Sequence, residues 1–260
     1  MDWIEVNGAS LRYAFSGSGE ATVVLLHELG GSIESWDAVS PGFEKQFRVL
    51  RYDQRGFGYS EKAPLLSFDS MLGDLCGLLD ALQIGPCHVA GSAMGGAIAL
   101  ALASRHPQRV ISIAISSPTS CSALPQAYLG HLETRAQAVR EGGMRAIVDA
   151  ALRVSYPEIL RGDTARFERY KKRWLTNDPE SFIAANRVVP TDLSAELKRV
   201  TCPALVMGCV HDSIRTPAFT RLVAESLPNA RFVEVDSGHF MAIQTPELFL
   251  AHVVPFFCGA

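Results

Sequence analysis

Apolar and polar positions along the chain follow two rhythms: short β-like runs, and longer stretches with helical spacing. Trp3–Val6 and Leu11–Phe15 flank Asn7-Gly8, a favoured two-residue hairpin turn, and predict an antiparallel opening hairpin. Thr22–His27 is a continuous apolar run up to His27, as a strand buried on both faces requires. Arg48–Tyr52 predicts the next strand, closed by Asp53. Ser67–Leu82 sets Met71, Leu72, Leu75, Leu78, Leu79 and Leu82 at helical spacing. His88–Ala90 reads as a short strand running into Gly91. Gly95–Ser104 reads as a small-residue helix stopped before Pro107, and Val110–Ile115 as another buried strand.

The rhythm then changes. Residues 121–195 hold no convincing strand and several amphipathic helical stretches. Strands resume at Ala204–Met207 and Phe232–Val235, each followed by a helix. Strands alternating with helices predict an α/β fold with a mostly parallel sheet flanked by helices. The expected organisation is a core of residues 1–120 and 196–260 with a helical cap, or lid, of residues 121–195 inserted between sheet strands. Such a cap would lie over the C-terminal edge of the sheet, where open α/β sheets bind ligands.

Composition adds bounds. At 260 residues, 48% of them hydrophobic and 20% charged, the chain can bury one large core. A net charge of -3 gives no reason to expect nucleic acid or an anionic membrane surface as partner. No apolar run approaches the ~20 residues of a membrane span. Six cysteines (Cys76, Cys87, Cys121, Cys202, Cys209 and Cys258) show neither C-x-x-C nor zinc spacing, so no metal site is expected. Reduced thiols and a cytoplasmic location are the expectation. Met1–Glu5 lacks a basic stretch followed by an apolar run, so no signal peptide is expected.

The chemistry gathers at strand ends. Gly91-Ser92-Ala93-Met94-Gly95-Gly96 lies between a predicted strand and a predicted helix, the setting of the G-x-S-x-G nucleophile elbow. In so tight a turn, side chains at the flanking positions would collide with strand and helix, hence the glycines. The central position is Ala93, and a methyl group cannot attack a carbonyl. Ser92 does not replace it: a frame moved by one needs glycines where Ala90 and Met94 stand. Ser92 therefore reads as a turn residue. Two origins account for Ala93: a deliberate Ser-to-Ala change that traps a substrate complex, or a natural loss. The intact remainder of the machinery favours the first.

His239, in Ser237-Gly238-His239-Phe240 after the last strand, is the expected general base. Asp212, after the strand Ala204–Met207, is the expected acid, with Asp236 its nearest competitor. The oxyanion donors should be the amide of Met94 and one from the loop His27-Glu28-Leu29-Gly30-Gly31, assigned to Leu29. His27 reads as a brace for that loop.

With these residues in order, the chain resembles the α/β-hydrolase superfamily along nearly its whole length, and within it the 3-oxoadipate enol-lactonase group. Tyr52-Asp53-Gln54-Arg55-Gly56-Phe57-Gly58-Tyr59-Ser60 is similar to the family's D-x-R-G-x-G-x-S loop, and Arg135–Ile147 resembles that group's cap. Ala93 departs from the family's serine, and Glu28 from its usual glycine. A carboxylate beside an oxyanion opposes catalysis, so Glu28 should point away, engage a loop partner, or contact a polar substrate group.

Residues 121–195 carry 11 Lys or Arg against 9 Asp or Glu. A relatively basic cap suits a carboxylated substrate, since arginine binds carboxylates in a two-pronged geometry. Arg135, Arg140, Arg145 and Arg187 are the candidate contacts. Lys171-Lys172-Arg173 reads as solvated, and Trp174 and Phe182 as cap packing that could line a pocket. The expected activity is hydrolysis of a small ester, lactone or amide through an acyl-serine, without cofactor, once a serine stands at 93. Two alternatives stay open: a cofactor-independent oxygenase or lyase that needs only His239 and Asp212, or a ligand-binding protein without turnover. The expected partner is a small-molecule substrate, with a homodimer left open.

Overall fold

Asn7 and Gly8 both take positive φ, 50° and 71°. This twist matches that of the flanking strands and closes β1 (Asp2–Val6) onto β2 (Ala9–Ser16), with Val6 opposite Ala9. The computed structural model in which this hairpin stands describes residues 1–123 and 126–260. Residues 124 and 125, within the expected cap, lie outside the described residues.

Six further strands follow: β3 (Thr22–Leu26), β4 (Arg48–Tyr52), β5 (Cys87–Ser92), β6 (Val110–Ser116), β7 (Ala204–Cys209) and β8 (Ala230–Val235). The sheet order is β1-β2-β4-β3-β5-β6-β7-β8. The pairs β1/β2 and β2/β4 are antiparallel and all others parallel. Every residue of β3, β5 and β7 is buried, which explains the apolar runs of β3 and β7. Because β3 to β8 are parallel, the loops that leave them emerge on one edge of the sheet.

The helices are α1 (Ser40–Phe43), α2 (Phe68–Ala81), α3 (Met94–Arg105), α4 (Gln126–Gly142), α5 (Val148–Ser155), α6 (Thr164–Leu175), α7 (Pro179–Asn186), α8 (Pro217–Glu225), α9 (Met241–Gln244) and α10 (Pro246–Cys258). Ser67 caps α2 by accepting from the Ser70 amide at 3.0 Å. The α2 face of Met71, Leu72, Leu75, Leu78 and Leu79 joins α3 and α8 in one core. Trp36, Phe43, Phe249, Val253 and Phe257 build a second core with α1 and α10 on the other face. Helices α4 to α7 lie between β6 and β7 and share a third core, which meets the sheet layer at Phe57, Phe240 and Ile243. No described helix is long and apolar enough to cross a membrane, and all six cysteines are free thiols.

Helix α3 begins against bare backbone. A Cβ on Gly95 would overlap the Leu26 carbonyl, and one on Gly91 the Gly95 carbonyl. Backbone cannot retreat as a flexible side chain can. Gly95→Ala is therefore expected to cost about 3 kcal/mol of stability, read as a lower urea midpoint. An unchanged midpoint would mean that strand and helix do not approach so closely.

Candidate active site

Strand β5 ends and α3 begins at one residue, Ala93, with φ 50° and ψ -109°. That conformation is strained for a residue with a Cβ. It persists because the neighbouring chain holds both backbone groups. The Ala93 amide donates to the Ser116 carbonyl at 3.0 Å, and its carbonyl accepts from the Thr119 amide at 3.2 Å. Gly91 and Gly95 leave the room the bend needs. Ser92 faces elsewhere: it is the last residue of β5, opposite Ser116, and its hydroxyl accepts from Ser116 Oγ at 3.3 Å.

Asp212 follows β7 and is buried. Its Oδ1 accepts from the amides of Ile214 at 2.8 Å and Arg215 at 2.9 Å, while Oδ2 lies 2.8 Å from His239 Nδ1. Burial alone would push this carboxyl up. The charge and hydrogen bond of His239, with the Arg215 amide, overcome it and hold the carboxyl below its ordinary value. An ionised carboxylate only accepts, so the proton of the bond sits on Nδ1. In the neutral imidazole Nε2 then carries the lone pair, and it has no hydrogen bond among the described residues. Asp236 is engaged elsewhere, 2.7 Å from His211 Nε2 at the surface.

The loop after β3 is braced from below. Gln54 donates its amide to His27 Nε2 at 3.0 Å and its Nε2 to the His27 carbonyl at 2.7 Å, while His27 Nδ1 donates to the Glu28 carbonyl at 2.8 Å. Burial pushes the His27 imidazole below its usual range despite the nearby Glu28 charge, which suits this neutral bridging role. The Leu29 amide, and that of Met94 at the first turn of α3, donate to no acceptor among the described residues. Free amides at a helix N-terminus favour negative charge.

Glu28 is buried and accepts from Ser35 Oγ at 2.9 Å. Arg173 on α6 approaches it, Nη2 to Oε1 3.8 Å. Burial, and then the Glu28 charge, push the Tyr170 hydroxyl well above its ordinary value. Tyr170 accepts from Trp174 Nε1 at 2.9 Å, and Asn177 Nδ2 donates to the Gly30 carbonyl at 3.0 Å. Thus α6 grips the loop that carries Leu29. Arg173 corrects the expectation of a solvated Lys171-Lys172-Arg173 run: its side chain is 19% exposed. The signal is present in the spacing of Tyr170, Arg173 and Trp174 on one helical face, with Asn177 two residues past the helix end, masked by the charge run.

The candidate substrate arginines separate. Arg135 is half-buried, its guanidinium 5.6 Å from the Trp174 ring centre and 5.0 Å from that of Phe182. Trp174 in turn abuts Gly30. Arg140 pairs with Glu133 at 3.6 Å and Arg187 with the same carboxylate at 3.5 Å. Arg145 is exposed. For these three the expectation of a pocket contact gives way to surface positions, where solvent stabilises the charge and ion pairs contribute little.

A family model described as alpha/beta hydrolase fold matches residues 21–142. A putative carbamate hydrolase RutD from Caulobacter sp. (strain K31) is 30% identical over 93% of this chain and 92% of its own length. 3-Oxoadipate enol-lactonase 2 from Acinetobacter baylyi is 24% identical over 95% of this chain and 93% of its own. The crystal structure of the enol-lactonase from Burkholderia xenovorans LB400 superposes with a TM-score of 0.92 at 31% identity, over 99% of this chain and 100% of that one. Bend, sheet order and relatives agree, and the chain belongs to the α/β-hydrolase superfamily.

Proposed function

We propose that residue 93 is the nucleophile position of a serine-type hydrolase of small esters, lactones or amides, and that the chain with Ala93 is its inactive form. The observation that carries this reading is the forced positive φ of Ala93 between two obligatory glycines. A strained bend at a strand–helix junction presents whatever side chain it bears. With serine there, Oγ attacks the substrate carbonyl and passes its proton to His239 Nε2. Asp212 holds the imidazole by Nδ1 and stabilises the imidazolium. The amides of Leu29 and Met94 receive the charge that develops on the carbonyl oxygen. His239 then protonates the leaving group, and water releases the acyl group by the same steps in reverse. A carboxylic-ester type bond is the favoured target. The segment 121–195 serves as the lid, on a body of residues 1–120 and 196–260.

A second reading rests on the intact pair of His239 and Asp212, which follows β7 and β8 on the same edge of the sheet as Ala93 after β5. Such a base can abstract a proton without any nucleophile, as a lyase or cofactor-independent oxygenase requires. Assaying the chain as it stands beside Ala93→Ser separates the two: the hydrolase reading needs activity in the serine form alone.

Arg135 is the residue proposed to select a carboxylated substrate. Over the two rings its charge is partly desolvated and therefore stronger toward an incoming carboxylate. In the Ala93→Ser background, Arg135→Met is expected to raise KM for a carboxylated ester by about 10-fold or more and to leave an uncharged ester of similar size unaffected. Equal losses on both substrates would assign Arg135 to packing alone.

A further inference from the structure

One concavity of the molecule is not lined by Ala93, Asp212 or His239. It is a groove of about 690 Å³ between one face of α6 and the segments around Gly30–Ser35 and Gly58-Tyr59. That volume lies within the range of small-molecule sites.

Its charge is unbalanced. On the body side the groove presents Glu34 and Asp37, and both are already taken: Arg12 holds Glu34 at 2.8 Å and Arg51 holds Asp37 at 2.9 Å. On the α6 side, Arg166 is matched by Asp163 at 3.3 Å and Glu247 at 3.7 Å. Arg169 and Lys172 remain. They stand one helical turn apart on the groove face, and neither meets an acidic side chain among the described residues. Behind them Arg173 approaches Glu28 at 3.8 Å and lies over the Tyr170 ring at 5.0 Å. Cations at i and i+3 on a helix repel when no anion lies between them. A concave wall with two such charges attracts a counter-ion far better than a convex face, because the field is focused. Tyr59, 73% exposed at the rim, adds an aromatic surface for the body of an organic ligand.

We propose that this groove is a binding site for a small dianion, a dicarboxylate or a phosphate group, held between Arg169 and Lys172. The site is separate from the catalytic bend and does not require residue 93 to be serine.

The test is titration calorimetry of the chain as it stands, at constant ionic strength, with malonate, inorganic phosphate and acetate as probes. Saturable 1:1 binding of malonate or phosphate is expected, about 10-fold or more tighter than acetate. The tighter of the two names the source of the dianion. Arg169→Gln combined with Lys172→Gln, both at positions that leave the core untouched, should weaken that binding about 10-fold or more. Arg135→Met should leave it unchanged. No saturable binding overturns the proposal, as does binding indifferent to the double substitution or equal for acetate. Loss in Arg135→Met alone would move the anion to Arg135, overturning the groove site while supporting the substrate reading of that residue.

Discussion

Ala93→Ser is expected to raise ester hydrolysis by about 10⁴-fold or more, the scale on which removing a catalytic serine silences such enzymes. The change adds one oxygen and asks nothing new of the backbone, since alanine and serine are equally strained at φ 50°. The bend is pinned by backbone hydrogen bonds to Ser116 and Thr119, which a side-chain hydroxyl does not replace. Stability should therefore move little while the rate moves greatly. The measurement is a panel of p-nitrophenyl esters, enol-lactones and carboxylated amides, run on both forms. Turnover in both at equal rate would replace the nucleophilic mechanism with proton abstraction by His239. Turnover in neither, with ligand still bound, would leave a binding protein.

In the serine-bearing form, Asp212→Asn is expected to lower kcat by about 10⁴-fold with little change in KM. Asparagine keeps the shape but offers an N–H where a carboxylate oxygen was. His239 would then carry its proton on Nε2 and could no longer accept one from the nucleophile. The same carboxylate leaves a mark on acid stability. Its folded pKa lies below the ordinary 3.8, so it contributes stability at neutral pH. That contribution is fully present above 3.8 and fades as pH falls through the lower folded value. The stability gap between the parent chain and its Asp212→Asn variant should thus narrow on acidification in that window, as read by urea unfolding at stepped pH. A gap that widens instead would mean that the carboxylate is not held ionised by its partners.

Features set by neighbours in sequence are legible in the chain itself. Asn7-Gly8 needs only its own backbone preferences to turn, and the Ala93 bend announces itself through glycines two residues to either side. Asp212 and His239 are legible from their order after successive strands. Features set by distant neighbours are not. The ladder of β5 runs through Gly91 and Ser92 because Ile115 and Ser116 pair with them, although neither residue favours a strand by itself. Arg173 reads as solvated among its charged neighbours, and only the approach of α6 to Glu28 encloses it. Arg140 and Arg187 look equivalent to Arg135 in the sequence, which does not tell which face of a helix meets two aromatic rings. Tyr170 and Asn177 escape a reading of the chain for the same reason.

The grip of Arg173 and Asn177 on the segment around Leu29 has a mechanical consequence. Helix α6 and one of the two amides proposed to receive negative charge are fastened together. A displacement of α6 would therefore move this amide with it. The direction of that amide is thereby tied to the seat of the helical layer, and with it the electric pull that the proposed site would exert on a carbonyl oxygen.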